Sequence, residues 1–186
     1  MNMTFIIVYA IWLLSEVLLN RLLHSNASDK QGADKNSLLI IWLTIAVSMF
    51  ISIYIAGRFY FPIFANPSYT YTGLVVIVVG ILLRFAAIRS LGKFFTVDVT
   101  IREGHQLKKD GFYKYLRHPS YFASLISFIG FGISLNNWIS LIVITLAIIA
   151  AFSYRIKVEE KTLIEQFGSA YIEYKKTTAG LIPFIF

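Results

Sequence analysis

Five stretches of this chain are so uniformly apolar that water is excluded as their main solvent. Residues 3–23, 38–56, 71–88, 121–135 and 138–154 consist almost wholly of aliphatic, aromatic and small side chains. A helix needs roughly 20 mostly apolar residues to cross a bilayer. Composition agrees: 57% of the 186 residues are hydrophobic and 15% charged, against about 25% charged in an ordinary soluble domain. The chain therefore reads as an all-α, multi-pass transmembrane helix bundle of about five spans. Its length suits one membrane domain, 1–186. Within it, residues 1–88 hold the first three spans, and 89–186 hold a long polar loop, a helical hairpin and a C-terminal helix.

The hairpin is the short element. Asn136-Asn137 marks a tight turn between 121–135 and 138–154, whose arms barely match a bilayer's thickness. Beyond it, Leu163, Ile164, Phe167 and Tyr171 recur at helical spacing, so 155–175 is expected to be an amphipathic or solvated helix. Gly180 and Pro183 end regular structure. The first 23 residues lack a basic start and a small-residue cleavage site, and read as a retained helix. Gly130 and Gly132 suit close helix packing better than a phosphate loop.

The absence of cysteine excludes disulfides, thiolate metal sites and cysteine nucleophiles. The histidines are scattered at 24, 105 and 118, and no metal site is expected. The net charge of +7 follows membrane topology rather than nucleic acid. Loop 89–117 holds Arg89, Lys93, Arg102, Lys108, Lys109, Lys114 and Arg117, and the tail holds Arg155, Lys157, Lys161, Lys175 and Lys176. Arg21, Lys30 and Lys35 attend the first loop, whereas loop 57–70 has only Arg58 and the 134–137 turn has no lysine or arginine. Five spans put the basic segments on one side, which by the positive-inside rule is cytoplasmic. The N-terminus is then outside and the C-terminus inside. The lysines at 108, 109, 114, 175 and 176 read as topology and lipid contacts. Glu16, mid-span, should face the bundle or a cavity. Arg84, about one turn from the cytoplasmic end, can snorkel to the interface.

Two polar clusters flank the hairpin on that face. One runs Gly104-His105-Gln106-Leu107, Gly111-Phe112-Tyr113 and Arg117-His118-Pro119-Ser120-Tyr121; the other is Arg155, Glu159, Glu160, Leu163, Phe167-Gly168 and Tyr171. Closing the hairpin brings them together. Cations, carboxylates and aromatics beside a bilayer suit a reaction between a polar cofactor and a lipid-like substrate. Arg155 presents a planar fork that fits a carboxylate, and Glu159 stands one helical turn later on the same face.

These pieces resemble the isoprenylcysteine carboxyl methyltransferase family, a group of small membrane methyltransferases related to phospholipid N-methyltransferases. The resemblance rests on His105-x-Leu107, Gly111-x-Tyr113, Arg117-His118-Pro119-Ser120-Tyr121, Glu159-Glu160-x-x-Leu163 and Phe167-Gly168-x-x-Tyr171, and it spans roughly residues 90–186. It implies S-adenosylmethionine as cofactor, held by His105, Gln106, Leu107, Lys108, Tyr113, His118, Pro119, Ser120, Tyr121 and Glu159. It gives Arg155 the methyl acceptor and makes Arg155 and Glu159 the catalytic pair. Lys108 stands where the family usually has an aliphatic residue, so its side chain is expected to reach water. Ala123 replaces a glycine often seen two residues after the motif tyrosine.

The leading acceptor is a carboxylate such as a prenylated cysteine, already a nucleophile and in need of no base. An amine acceptor would need one, with Glu159, Glu160 or His118 available. A non-catalytic lipid-binding homologue is a second class, and a nicotinamide-dependent lipid reductase a third, although no G-x-G-x-x-G fingerprint is present. No small-xxx-small motif assigns an oligomeric state.

Overall fold

A computed structural model describes residues 2–22, 30–31, 36–92, 100–101 and 107–183. Among the described residues six helices make up the framework: α1 (Met3–Leu22), α2 (Ser37–Arg58), α3 (Tyr71–Leu91), α4 (Pro119–Ser134), α5 (Trp138–Phe167) and α6 (Ser169–Thr177). Short 3₁₀ turns cover Pro67–Thr70 and Gly111–Lys114. One two-residue antiparallel pairing, Lys30 opposite Ile101 and Gln31 opposite Thr100, ties the first loop to the long polar one.

Among the described residues three helical segments are long and apolar enough to cross a membrane: Ser37–Arg58, Pro67–Leu91 and Trp138–Phe167. Met3–Leu19 and Pro119–Ser134 are shorter apolar helices that complete the bundle. At about 1.5 Å per residue, the 16 residues of α4 extend about 24 Å, short of a hydrocarbon core of about 30 Å.

Helix α2 reads inside out relative to a helix of a soluble protein. In α2, Ser37, Ile41, Ser48 and Ser52 are buried, whereas Leu39, Leu43, Val47, Phe50 and Tyr54 lie exposed along the opposite stripe. In lipid the apolar stripe has no reason to hide, so small and polar residues take the helix contacts. Ser140 of α5 donates to the Ser52 carbonyl at 2.7 Å, and Ser52 donates back to the Ser140 carbonyl at 3.3 Å. Between α3 and α4 the contact is tighter still. A Cβ on Gly73 would meet the Gly130 carbonyl at 2.5 Å, and one on Gly130 would meet the Gly73 carbonyl at 2.7 Å. Gly130 thus serves helix packing, as the sequence suggested. α1 closes over this pair with Trp12, fully buried, its ring centroid 4.8 Å from that of Phe128.

The α4–α5 turn falls at the expected asparagines. Asn136 takes a positive φ of 50°, and the Asn137 side chain caps α5 by accepting from the Ser140 amide at 3.0 Å. Both reach into loop 59–70. Asn136 exchanges two hydrogen bonds with the Phe64 backbone, and Asn137 donates to the Phe59 carbonyl at 2.6 Å. The two loops poor in lysine and arginine are therefore joined at one end of the bundle. The N-terminus of α4 and the C-terminal half of α5 come together at the other.

Two expectations need correction. The span 138–154 and the helix 155–175 are not separate elements: α5 runs unbroken to Phe167, and the break falls at Gly168, whose φ of 55° favours glycine. The change from apolar to polar side chains at 155 alters the helix's surroundings, not its backbone hydrogen bonding. Arg84 does not snorkel. It turns inward, 3.0 Å from the Glu16 carboxylate, because a counter-charge and serine acceptors lie within its reach inside the bundle.

Candidate active site

The site residues sit where α4 begins, where α5 leaves the apolar layer, and where the C-terminal segment folds back. Pro119 occupies the first helical position of α4, where a missing N–H costs nothing. That places His118 at the N-cap and Tyr121 in the first turn, facing α5. The C-terminal segment pairs alongside. The Arg117 amide donates to the Ala179 carbonyl at 2.9 Å, the Ala179 amide to the Tyr115 carbonyl at 3.1 Å, and the His118 amide to the Gly180 carbonyl at 3.3 Å.

Arg155 is almost wholly buried, at 2% exposure. Its Nε donates to the Tyr121 hydroxyl at 3.4 Å and its Nη1 to the Ser37 hydroxyl at the start of α2. The Tyr121 ring packs at a tilt between His118 (centroids 5.8 Å apart) and Phe152 (5.2 Å). One turn beyond Arg155, the Glu159 carboxylate lies 3.8 Å from His118 Nδ1 and keeps about a third of its side chain exposed, 32%. The chain thus sets a buried guanidinium against a phenol, the phenol against an imidazole, and the imidazole beside a partly exposed carboxylate.

Glu160 plays a different part from its neighbour. Its Oε1 accepts from Arg117 Nε at 2.8 Å and faces His118 Nε2 at 3.3 Å, and its Oε2 accepts from Lys175 at 2.5 Å. Arg117 also donates through Nη1 to the carbonyls of Lys175 and Thr178. One buried carboxylate thereby joins α4, α5, α6 and the C-terminal segment. Pairing the imidazole's Nε2 with Glu160 leaves Nδ1 directed toward Glu159.

Tyr113 is buried, donating to the Ala87 carbonyl at 3.4 Å, while its own carbonyl accepts from Tyr174 at 2.5 Å. Burial, reinforced by the charge of Glu159, pushes the Tyr113 phenol well above its ordinary pKa. Burial likewise pushes Tyr174 up to about 12. Both remain neutral hydrogen-bond donors in any ordinary buffer. Tyr171 is buried too, and its hydroxyl has no partner among the described residues.

Of the residues expected from sequence, Tyr113, His118, Pro119, Ser120, Tyr121, Arg155 and Glu159 gather at this end of the bundle. Leu107 is half-buried. Lys108 is half-buried rather than free in water, 2.8 Å from the Asp110 carboxylate. Ser120 belongs to the wall rather than the opening: it is buried and accepts from Arg84. His105 and Gln106 lie outside the described residues. Among the described residues no three His, Asp or Glu side chains gather as a metal ion would require. Sequence reading missed Ser37, which carries no motif and meets Arg155 across 118 positions. It also missed the clamp on Glu160, although the pairing of Arg117 with an Glu-Glu step offered a signal.

The family pattern described as the isoprenylcysteine carboxyl methyltransferase family matches residues 72–165. Protein-S-isoprenylcysteine O-methyltransferase B of Arabidopsis thaliana is 37% identical over 161 residues, covering 83% of this chain and 82% of the plant protein. The Saccharomyces cerevisiae protein-S-isoprenylcysteine O-methyltransferase is 38% identical over 118 residues, covering 62% of this chain and 49% of the yeast one. A solved structure, that of the eukaryotic intramembrane Ras methyltransferase of the same family, superposes with a TM-score of 0.63 at 28% identity. The match covers 97% of this chain and 63% of that one.

Proposed function

The chain belongs to the isoprenylcysteine carboxyl methyltransferase family, and from that premise we propose that it is an integral membrane enzyme methylating the carboxylate of a prenylated cysteine, with S-adenosylmethionine as the donor. The observation that carries this reading is the buried Arg155 one helical turn inside the water-facing Glu159. A lipophilic acid entering from the bilayer would meet the guanidinium, and a polar cofactor entering from water would meet the carboxylate.

The residues present fit such a cofactor. Glu159 is an acceptor left partly open and suits an ammonium or ribose hydroxyls. The buried Tyr171 hydroxyl, which has no partner among the described residues, lies within the electrostatic reach of the same pair of glutamates. Tyr113 and His118 would complete the wall, together with His105, Gln106, Leu107 and Lys108. When bound, S-adenosylmethionine would supply an electrophilic methyl group with a neutral thioether as its leaving group. The chain's own task is to orient and to exclude water. Arg155 would grip the carboxylate with its fork and is itself held by Tyr121 and Ser37. Positioning of this kind is worth about 7–11 kcal/mol in effective molarity. No base is needed, which agrees with Glu160 being committed to Arg117, His118 and Lys175. N-methylation would rest on Glu159 or His118 alone.

In the same reading, residues 1–88 are scaffold and 89–186 the catalytic part. The C-terminus and the site face the cytoplasm, and the N-terminus faces outside. A reporter fused after Phe186 that is active only outside would reverse that orientation.

The decisive experiment combines calorimetry with turnover in detergent-purified protein. Saturable S-adenosylmethionine binding, weakened by Glu159→Ala and His118→Ala, is expected, together with transfer of methyl to an S-isoprenylcysteine as a base-labile ester. Folded protein that binds no cofactor at millimolar concentration would overturn the reading.

A further inference from the structure

We infer that Arg84, held by Glu16 inside the bundle, is a positioning residue: it fixes the first turn of α4, and through it His118 and Tyr121. The inference rests on the function proposed above for that turn.

The first observation is the cost of the pair. Glu16 lies in the C-terminal half of α1, six residues before its end, and Arg84 in the last part of α3, seven residues before its end, and each side chain is 15% exposed. Charges at this depth are rare, and where they occur they usually serve a function. An arginine about two turns from a helix end has a side chain long enough to extend toward the interface instead. This one forgoes it for an ion pair 3.0 Å long between Nη2 and the Glu16 carboxylate.

The second observation is what the other arm of the guanidinium does. Nη1 donates to the Ser120 carbonyl at 3.2 Å, reaches the Ser120 hydroxyl at 3.5 Å, and donates to the Ser124 hydroxyl. Ser120 and Ser124 are one turn apart on a single face of α4 and both are buried. Glu16 therefore aims the fork, and the fork grips two consecutive levels of α4. Only the planar, multi-donor guanidinium can span a carboxylate on one helix and two serines on another.

The third observation is the neighbourhood of Ser120. His118 and Tyr121 flank its short stretch of chain. His118 meets Glu159 and Glu160, while Tyr121 meets Arg155. Gly80, one turn before Arg84 on α3, already presses its backbone against Ser127 and Ala123. Apolar packing alone sets the distance between α3 and α4 but leaves rotation and sliding of α4 soft. Besides the Ser127 hydroxyl, which donates to the Ile77 carbonyl at 3.3 Å further along the same interface, the Arg84 fork supplies the directional contacts at the first turn itself. In this way α1, which carries no motif of the site, controls its geometry.

The test compares wild type, Arg84→Met, Arg84→Lys and the charge swap Glu16→Arg/Arg84→Glu in detergent. Three readouts are taken: melting temperature, S-adenosylmethionine affinity by calorimetry well below each melting point, and the imidazole ¹⁵N shifts of His118 in histidine-labelled protein. The swap keeps an ion pair between α1 and α3 but places no donor at the Ser120 carbonyl. Melting near wild type with at least about tenfold weaker cofactor binding, a loss of about 1.4 kcal/mol, and displaced His118 shifts is the expected result for the swap. Arg84→Lys should fall between wild type and Arg84→Met. A swap that restores affinity and His118 shifts together with stability would show the pair to be structural only and overturn the inference. If folded wild type binds no cofactor, the function proposed above fails, and the His118 shifts, which need no cofactor, still decide the role of Arg84.

Discussion

Adding one methyl group to Gly80 should damage both stability and turnover, although Gly80 touches no group proposed to meet a substrate. Its Cβ would lie 2.7 Å from the Ser127 amide nitrogen and 2.8 Å from the Ala123 carbonyl, both α4 backbone atoms. Ordinary contact begins at 3.4 Å, so α4 would have to retreat by about 0.7 Å, as overpacked interiors do. Forcing an extra methylene into a packed interior typically costs about 1–3 kcal/mol. The same retreat carries His118 and Tyr121 with it. A displacement of about 1 Å at a reacting centre can cost on the order of 10²-fold in rate, so a loss of about tenfold or more in kcat/KM is expected for Gly80→Ala. Gly57→Ala is the control, because a Cβ there meets nothing within 4 Å. The assays are thermal melting in detergent and methyl transfer to an S-isoprenylcysteine. Gly80→Ala protein that melts and turns over like Gly57→Ala would refute the claim that α3 positions the site through backbone contact.

Arg155→Lys should keep the charge but lose the fork. Hydrogen bonds to charged groups are worth about 1.5–3 kcal/mol, so kcat/KM for the lipophilic acid should fall roughly 10–100-fold, with cofactor affinity read separately by calorimetry. Glu160→Gln should mainly unfold rather than slow the enzyme, because removing one partner of a buried charge cluster costs about 3–5 kcal/mol. Glu159→Gln, partly exposed, should melt near wild type and lose cofactor affinity, so identical melting losses for the two would contradict their different roles. Tyr174→Phe should cost about 1–3 kcal/mol, the penalty for leaving the buried Tyr113 carbonyl without a partner. The Tyr174 phenol is raised to about 12 in the fold against about 10 free. Its contribution to stability is therefore complete below about pH 10 and lost as pH rises toward 12, an alkaline loss that Tyr174→Phe should lessen in pH-dependent melting.

The helices were readable because lipid imposes a length and a composition on each span. The Asn136-Asn137 turn was readable because asparagine tolerates the positive φ that a tight turn requires. The convergence of the 117–121 and 155–160 segments followed from closing the hairpin between them. What escaped were contacts set by three-dimensional proximity alone. Ser37 is an ordinary serine until α2 packs on α5 and brings it to Arg155. Arg84 seemed destined for the interface because its counter-ion, Glu16, sits 68 positions earlier in the sequence. The continuity of α5 was hidden for another reason. Hydropathy reports the solvent around a helix, and the solvent changes near residue 155 while the helix does not.

That continuity has a consequence for the chemistry. Arg155 follows Trp138 by 17 residues, which at about 1.5 Å per residue places it about 26 Å along the helix axis. Trp138 is half-exposed at the start of α5, where tryptophan suits a membrane interface. Against a hydrocarbon thickness of about 30 Å, Arg155 then stands just inside the opposite boundary, and Glu159, about 6 Å further on, at or beyond it. A prenyl tail would remain in the apolar layer while its carboxylate rose to the guanidinium, and a water-soluble donor would never need to enter the bilayer. A hairpin with separate arms and a hinge at 155 could not hold those two groups at a fixed separation across the boundary. A single rigid helix can, and proline at 157, between them, should abolish turnover more completely than it unfolds the spans.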